Sequence, residues 1–199
     1  MLLERCAMFA VKAEEETNAS EHVDASLISS ACGGDGNAFR KIVETYQATI
    51  GAQMRRFSRD PAAIDTLVHD VFVEAFMSLS SYKVKSPFEH WLRKIAVRVG
   101  YRYWQTAARD KNRLEKLREE AATFPSTTEP PQDASDAHEQ LHVMLSQLAP
   151  RDRLVLTLLY WDGHSVAEAA KLAGWTQSLV KVQAHRARKR LKKLLEEAR

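Results

Sequence analysis

The sequence has few of the features that mark several classes of protein. Glycine occurs 7 times and proline 6 times in 199 residues, which excludes a collagen-like or low-complexity chain. No apolar run has the length of about 18 residues that a transmembrane helix needs. Charged residues interrupt segment 1–16, so we expect no secretion signal. Cys6 and Cys32, the two cysteines, cannot form a disulfide framework, so we expect reduced thiols and a cytoplasmic protein.

The cationic side chains are concentrated in two blocks. The net charge is only +3, yet residues 83–113 carry nine basic and two acidic side chains, and residues 176–199 carry eight and two. Between them, residues 114–142 carry seven acidic and two basic side chains. This pattern is typical of a protein that contacts a polyanion at two places. The alternative interpretation is two solvated helix faces.

Apolar residues recur with the helical period, and no segment alternates as a strand would. Stripes of apolar residues at this period predict helices over 39–57, 61–79 and 87–103. Pro61 after Asp60 is a typical helix start. The residues of the 61–79 stripe that we expect to be buried are Ile64, Leu67, Val68, Val71, Phe72, Ala75, Phe76 and Leu79.

The stretch 123–136 separates two helical regions. It contains three prolines and no apolar period, so we expect an exposed linker. The sequence therefore predicts an all-α protein of two small helical domains joined by a flexible linker. The predicted boundaries are a disordered acidic extension at 1–25, a first domain at 26–113, an acidic, proline-containing linker at 114–140 and a second domain at 141–199.

The second domain carries the pattern of a helix-turn-helix. Ser165 is placed to cap a helix, with Glu168 as its partner in a capping box. Gly174 follows where the chain must turn, a position that favours positive φ. A second helix then starts near Gln177. This order predicts that the second helix lies in the DNA major groove. A basic amphipathic helix on some other surface is the alternative.

The second helix has side chains suited to DNA. We expect Leu179, Val180 and Ala184 to face inward. Amide and basic side chains can read base edges, and further cations can neutralise phosphates. The residues expected to face outward are Gln177, Ser178, Lys181, Gln183, His185 and Arg186, with Arg188, Lys189 and Arg190 at phosphates.

Residues 91–113 mix cations with aromatic rings. This combination suits single-stranded or locally melted nucleic acid, in which bases stack on rings. We expect Trp91 and Tyr103 to belong to the apolar stripe, whereas Tyr101 and Trp104 are the candidates for exposed rings.

Several short motifs follow one another at characteristic spacings, and together they resemble a bacterial RNA polymerase sigma factor of the extracytoplasmic-function (ECF) group. The resemblance covers about 34–113 and 141–195. The motifs are GDGNAF at 34–39, LVHDVF at 67–72, FEHWL at 88–92 followed by Ile95-Ala96, LAPR at 148–151, GHS at 163–165 continuing to Ala169-Ala170, Gly174 followed by Val180-Lys181, and HRAR at 185–188.

The resemblance implies a transcription initiation factor rather than an enzyme. Such a protein binds core RNA polymerase and directs it to promoter DNA. The first domain, similar to sigma region 2, would bind the polymerase and would open and capture the −10 element. The second, similar to sigma region 4, would read the −35 element as duplex. The linker would thread toward the active-site channel. The group further implies an anti-sigma factor, often membrane-anchored. We expect no cofactor, no metal and no small-molecule substrate.

The resemblance also implies a role for particular residues. Core-polymerase contact falls on Asp65, Thr66, His69, Asp70 and Glu74. Contact with the −10 element falls on Lys83, Lys85, His90, Arg98, Tyr101 and Arg102. Contact with the −35 element falls on Gln177, Ser178, Lys181, Val182, His185, Arg186, Arg188 and Lys189.

Some positions depart from the family pattern. Thr66 and His69 replace the usual acid and glutamine, and segment 83–85 replaces a glycine-bearing loop. Arg102 stands where an aspartate is common, and Val182-Gln183 replaces serine and arginine. Promoter base preferences therefore cannot be copied from relatives.

Two other classes of protein share part of this pattern. A stand-alone operator-binding repressor would use a helix-turn-helix, but it would need a dimer interface and would leave the first domain unexplained. A nucleic-acid enzyme would need clustered carboxylates or a metal site. His138 and His142 form the best candidate ligand pair, but no third ligand lies at a convincing spacing. We therefore interpret that pair as solvated linker.

Overall fold

The computed structural model of the chain describes residues 25–82, 86–120 and 137–197. Every regular element within these residues is a helix, which confirms the all-α prediction. The chain divides into two compact units, Met1–Val99 and Gly100–Arg199, and each is described by itself. No helix in the described part of the chain is long and apolar enough to cross a membrane. The predicted acidic extension, up to residue 24, lies outside the described residues.

The first unit is built from four helices in chain order. They are α1 (Ala25–Cys32), α2 (Gly36–Met54), α3 (Pro61–Ser78) and the first part of α4 (Phe88–Glu120). Asp35 caps α2 by accepting hydrogen bonds from the backbone N–H groups of Asn37 and Ala38. Asp60 caps α3 in the same way, with a proline at the start of the helix as the sequence predicted. Side-chain caps therefore fix where both helices begin.

The core of the first unit lies between α2, α3 and α4. Its buried apolar residues include Ile42, Ile50 and Met54 of α2, Leu67, Val71, Phe72 and Ala75 of α3, and Leu92, Ile95 and Ala96 of α4. The Phe88 ring at the start of α4 packs against Tyr46, Tyr82 and Trp91 at centroid distances of 5.7, 5.3 and 5.2 Å. These contacts hold the start of α4 against α2.

Five residues of the predicted stripe are buried, Ile64 and Val68 are half-buried, and Phe76 is exposed. Phe76 is 51% exposed, and its ring makes an edge-on contact with Phe39 at 4.9 Å. Phe72 and Ala75 already fill the inner side of α3 at this level. Since successive helical residues are rotated by about 100°, the next position after Ala75 falls at the margin of the core.

Helix α4 is longer than the sequence predicted. It continues to Glu120, beyond residue 113, where we expected the first domain to end. No glycine or proline occurs between residues 101 and 120, so nothing in the sequence ends the helix there. Residues 121–136 of the predicted linker lie outside the described residues, and residues 137–140 already belong to the next helix.

The second unit contains the remainder of α4 and four further helices. These are α5 (Ala137–Ser146), α6 (Pro150–Leu156), α7 (Val166–Ala173) and α8 (Gln177–Glu197), with a π-helical turn at Thr157–Trp161. Helix α8 packs against α6 and α7. Its core includes Leu154, Val155, Leu158 and Val180 with the small residues Ala169, Ala170, Ala184 and Ala187.

Trp104 is a second aromatic residue whose environment differs from the prediction. We considered its ring a candidate for exposure, but it is only 4% exposed. The guanidinium of Arg153 lies over the ring, 4.0 Å from its centroid. Burial lowers the pKa of Arg153 to about 10. The ring therefore serves as a packing surface for a cation of the same unit.

Candidate nucleic-acid interface

The helix-turn-helix begins with the predicted capping box. The Ser165 Oγ accepts a hydrogen bond from the backbone N–H of Glu168 at 3.2 Å, and Glu168 Oε2 accepts one from the Ser165 N–H at 2.8 Å. These hydrogen bonds lower the pKa of the Glu168 carboxyl, because they favour its charged form. Both partners of the box are confirmed, and together they fix the start of α7.

The turn between α7 and α8 depends on one glycine. Gly174 adopts the left-handed conformation, with φ 70° and ψ 30°, and its N–H donates to the carbonyl oxygen of Ala170. The N–H of Trp175 donates to the same carbonyl at 2.9 Å. Thr176 Oγ1 then accepts from the N–H of Leu179 at 3.2 Å, at the start of α8. The predicted turn position is confirmed.

The outer face of α8 is a continuous exposed surface. All eight residues that we assigned to the −35 element are exposed, including Val182 at 48%. We call this set the α8 reading face: Gln177, Ser178, Lys181, Val182, His185, Arg186, Arg188 and Lys189. Its basic side chains and amide are of the types that contact base edges and phosphates in a major groove.

Two residues expected on the DNA side of α8 bind a buried carboxylate, and of these Gln183 is buried and Arg190 is exposed. Gln183 is only 8% exposed, and its Nε2 donates to Oδ1 of Asp152 at 2.5 Å. Arg190 donates to the other oxygen, Oδ2, of the same carboxylate. The expectation that Gln183 faces outward is therefore wrong, because its position falls on the same side of the helix as Val180 and Ala187.

Asp152 was missed by the sequence analysis. It is completely buried, the one acidic side chain among the buried residues of the described chain. It lies on α6 three and four residues before Val155 and Leu156, which are also buried. An acid on the apolar stripe of a short helix is the signal that could have revealed it.

The exposed side of α3 carries four of the five residues assigned to polymerase contact. Asp65, Thr66, His69 and Asp70 lie on adjacent turns and are exposed. The same side continues with two exposed apolar residues that sequence reasoning missed, Val73 at 42% and Met77 at 78%. We call these six residues the α3 surface. An apolar patch beside an acidic one is typical of a protein interface.

Glu74, the fifth residue, has a different environment. Its side chain is 23% exposed and forms an ion pair with Arg98 of α4. Arg98 was assigned to the −10 element, and its side chain is 59% exposed. The structure therefore joins a residue expected at polymerase directly to one expected at DNA.

The other residues assigned to the −10 element are dispersed. His90 is exposed on α4 in the first unit. Arg102 is exposed in the second unit, where the partly buried Tyr101 ring makes an edge-on contact with Trp175 at 6.1 Å. Lys83 and Lys85 lie outside the described residues.

Of the pair His138 and His142 that we interpreted as solvated linker, His142 is half-buried. Both residues lie on α5, and the Nε2 atom of His142 is 2.9 Å from a terminal nitrogen of Arg153. No group of three or more His, Cys, Asp or Glu side chains that could hold a metal occurs in the described part of the chain. His142 is therefore engaged by a side chain of the same unit.

Comparison with known proteins finds matches to both halves of the chain. Residues 42–110 match the family Sigma-70 region 2, and residues 138–191 match Sigma-70, region 4. The RNA polymerase sigma-E factor of Streptomyces coelicolor is 27% identical over 165 residues, which cover 81% of this chain and 88% of that protein. The ECF RNA polymerase sigma-E factor of Haemophilus influenzae is 26% identical over 179 residues, which cover 85% of this chain and 94% of that protein.

The fold is also found among solved structures. CnrH in complex with the cytosolic domain of CnrY aligns with a TM-score of 0.54 and 24% identity, covering 88% of this chain and 98% of that one. A second structure, the sigma factor RpoE with the anti-sigma factor NepR from Bartonella quintana, aligns with a TM-score of 0.51 and 21% identity. It covers 81% and 98% of the two chains. These likenesses show a shared helical architecture.

Proposed function

Because the chain belongs to the sigma-70 family of RNA polymerase sigma factors, within its ECF group, we propose that it directs core RNA polymerase to specific promoters. The observation that carries the proposal is that both matched regions keep an exposed surface of suitable chemistry. These are the α3 surface in the region 2 match and the α8 reading face in the region 4 match. The proposal includes the domain boundaries. Residues 26–113 form region 2, residues 114–140 form the linker and residues 141–199 form region 4.

The second domain reads the −35 element as duplex DNA. The turn at Gly174 leaves the first turns of α8 exposed, with Lys181, Val182, His185 and Arg186 toward the groove and Arg188 and Lys189 toward phosphates. Basic side chains can donate to guanine edges, and Val182 can contact a thymine methyl. The inward position of Gln183 removes it from the readers.

The first domain binds polymerase and the −10 element. The α3 surface combines the carboxylates of Asp65 and Asp70 with the apolar side chains of Val73 and Met77. This arrangement suits a partner that offers apolar and basic groups together. The −10 element falls on α4 and the preceding segment, where cations alternate with rings, through Lys83, Lys85, His90, Arg98, Tyr101 and Arg102.

Three further parts of the proposal follow from membership in the group. The protein acts in the cytoplasm, where its polymerase is, and it is a binding factor rather than an enzyme. An anti-sigma factor controls it, and the apolar part of the α3 surface gives such a partner a place to bind. The acidic linker enters a basic channel of the polymerase, since residues 114–142 carry seven acidic side chains.

Co-elution with core RNA polymerase tests the proposal. The full chain is mixed with core enzyme and analysed by size exclusion, beside Asp70→Arg and the control Glu44→Arg. Glu44 is also exposed but lies on α2, so both variants change the charge equally. We expect the wild type and Glu44→Arg to co-elute with polymerase and Asp70→Arg to elute alone.

The same experiment distinguishes the alternative function. A stand-alone repressor would not co-elute with polymerase, and it would bind duplex DNA tightly by itself at physiological salt. For a sigma factor we expect sequence-specific DNA binding only in the presence of core polymerase, which holds the two domains at promoter spacing. Nanomolar footprinting by the free protein would therefore overturn the proposal.

A further inference from the structure

We propose that Asp152 is a positioning residue for −35 recognition, because its carboxylate fixes the rotation of α8 about its own axis. The inference rests on the proposed function, since it concerns how the α8 reading face is presented to the promoter. Asp152 itself has no access to DNA, because it is completely buried. Its effect on recognition is therefore exerted through Gln183 and Arg190.

The carboxylate holds α8 at two points. Oδ1 accepts from Gln183 and Oδ2 accepts from Arg190. These two residues are seven positions apart, which corresponds to two helical turns and about 10 Å along the axis. A helix held at two points on one face can neither rotate nor slide without breaking one of the two bonds.

The fully buried apolar contacts of α8 are made mostly by small side chains, with Leu179, Leu191 and Leu194 half-buried beside them. The other buried residues on its inner face are Val180, Ala184 and Ala187. Alanine side chains form only low ridges on a helix surface, so they fill the grooves of the neighbouring helix poorly. They therefore give little resistance to a rotation of α8 about its axis. A fully satisfied buried polar network, in contrast, selects a single arrangement of the groups around it.

A small rotation would be enough to impair recognition. The reading side chains extend about 5 Å from the helix axis, so a rotation of about 20° moves their tips by about 2 Å. Hydrogen bonds to base edges weaken steeply with such a displacement. Contacts with phosphates are less affected, because long basic side chains adapt and the attraction acts over a longer range. Loss of the Asp152 bonds is therefore expected to reduce sequence discrimination more than general DNA affinity.

A matched pair of variants tests this inference in the holoenzyme. Arg190→Met removes the ionic bond to Asp152, whereas Lys192→Met removes the same charge from an exposed residue of α8 that pairs with Glu196 at 3.7 Å. Holoenzyme is incubated with a promoter library randomised over the −35 element, and bound sequences are counted. We expect Arg190→Met to reduce the enrichment of the preferred −35 sequence by at least fivefold and Lys192→Met to leave it within twofold of wild type.

A second variant separates positioning from stability. Replacing the network by apolar residues, as in Asp152→Leu with Gln183→Leu and Arg190→Met, is often neutral or stabilising. We expect this triple variant to melt near the wild-type temperature and still to lose −35 enrichment. Wild-type enrichment in both the triple variant and Arg190→Met would overturn the inference. If wild-type protein itself fails to co-elute with polymerase, the proposed function fails instead of the role of Asp152.

Discussion

Glu74 on α3 and Arg98 on α4 form an ion pair within the first unit. The carboxylate is mostly shielded, with 23% of the Glu74 side chain exposed, whereas 59% of the Arg98 side chain remains exposed. The pair joins the helix proposed to bind polymerase to the helix proposed to bind the −10 element. We therefore predict that Glu74 affects DNA contact through Arg98, rather than by contacting polymerase as an exposed residue.

Exchanging the two charges tests this relationship. Glu74→Gln is expected to lower the free energy of unfolding by about 1 kcal/mol, at the upper end for a partly exposed pair. The double variant Glu74→Arg with Arg98→Glu restores the ion pair and should recover most of that stability in thermal denaturation. The double variant places an acidic side chain toward DNA. Promoter opening, measured by a permanganate footprint, should therefore be impaired even though the ion pair is restored. Full recovery of opening would mean that Arg98 acts only in helix packing.

The capping box at α7 makes stability depend on pH. Hydrogen bonds from Ser165 lower the pKa of Glu168 below its ordinary value of 4.5. A carboxyl whose pKa is lower in the folded state stabilises the fold above its unfolded pKa, and this contribution is lost as pH falls through the folded pKa. The difference in melting temperature between wild type and Glu168→Gln should therefore be constant from pH 7 to 5 and shrink below about 4.5. Glu196→Gln, on the exposed surface of α8, serves as the control.

Replacing two particular glycines by alanine should change the free energy of unfolding in opposite directions. Gly174 has φ 70°, a conformation that costs an L-residue about 1–2 kcal/mol. Gly51 lies inside α2 without positive φ, and nothing lies within 4 Å of an added Cβ. We expect Gly174→Ala to lower the free energy of unfolding by that amount and Gly51→Ala to raise it by about 0.5–1 kcal/mol. Urea denaturation of both variants measures the two changes.

The apolar part of the α3 surface should matter for polymerase binding and not for folding. Met77 is 78% exposed, so Met77→Asp is expected to leave the melting temperature nearly unchanged. If polymerase covers this side chain, the variant should weaken binding at least tenfold, because a charge would be buried without a partner. Leu117→Asp, at a residue that is 52% exposed on α4, is the control. Equal affinities of both variants for core polymerase would place the interface elsewhere.

Local patterns were sufficient to predict most of the fold. The caps of α3 and α7, the turn at Gly174 and the all-α class each depend on neighbours in sequence, and each is confirmed. The sequence also predicted the exposed α8 reading face, apart from the roles of Gln183 and Arg190. Helical periodicity alone predicted that Phe76 is buried. The apolar stripe shows which side of α3 faces the core, but not how much of that side the neighbouring helices cover.

The errors at Gln183, Trp104 and His142 share a physical cause, which is pairing between residues far apart in the sequence. Asp152 meets Gln183 and Arg190 from positions 31 and 38 residues away. Likewise, Arg153 covers the Trp104 ring and contacts His142. A charged side chain can be buried only where such partners converge, and convergence is a property of the packing. Single-sequence patterns carry no record of it.

The final prediction concerns the readers of the −35 element. Lys181 and Arg186 are exposed on α8, so Lys181→Ala and Arg186→Ala should melt like the wild type. In the proposed function each of these side chains contacts one base edge. Loss of such a contact is expected to cost about 1–3 kcal/mol, which corresponds to about 5–150-fold in initiation. We expect transcription from a promoter that depends on its −35 element to fall accordingly, and Lys193→Ala, at an exposed cation in the last turns of α8, to have little effect. Unchanged transcription in both alanine variants would show that α8 does not read the promoter.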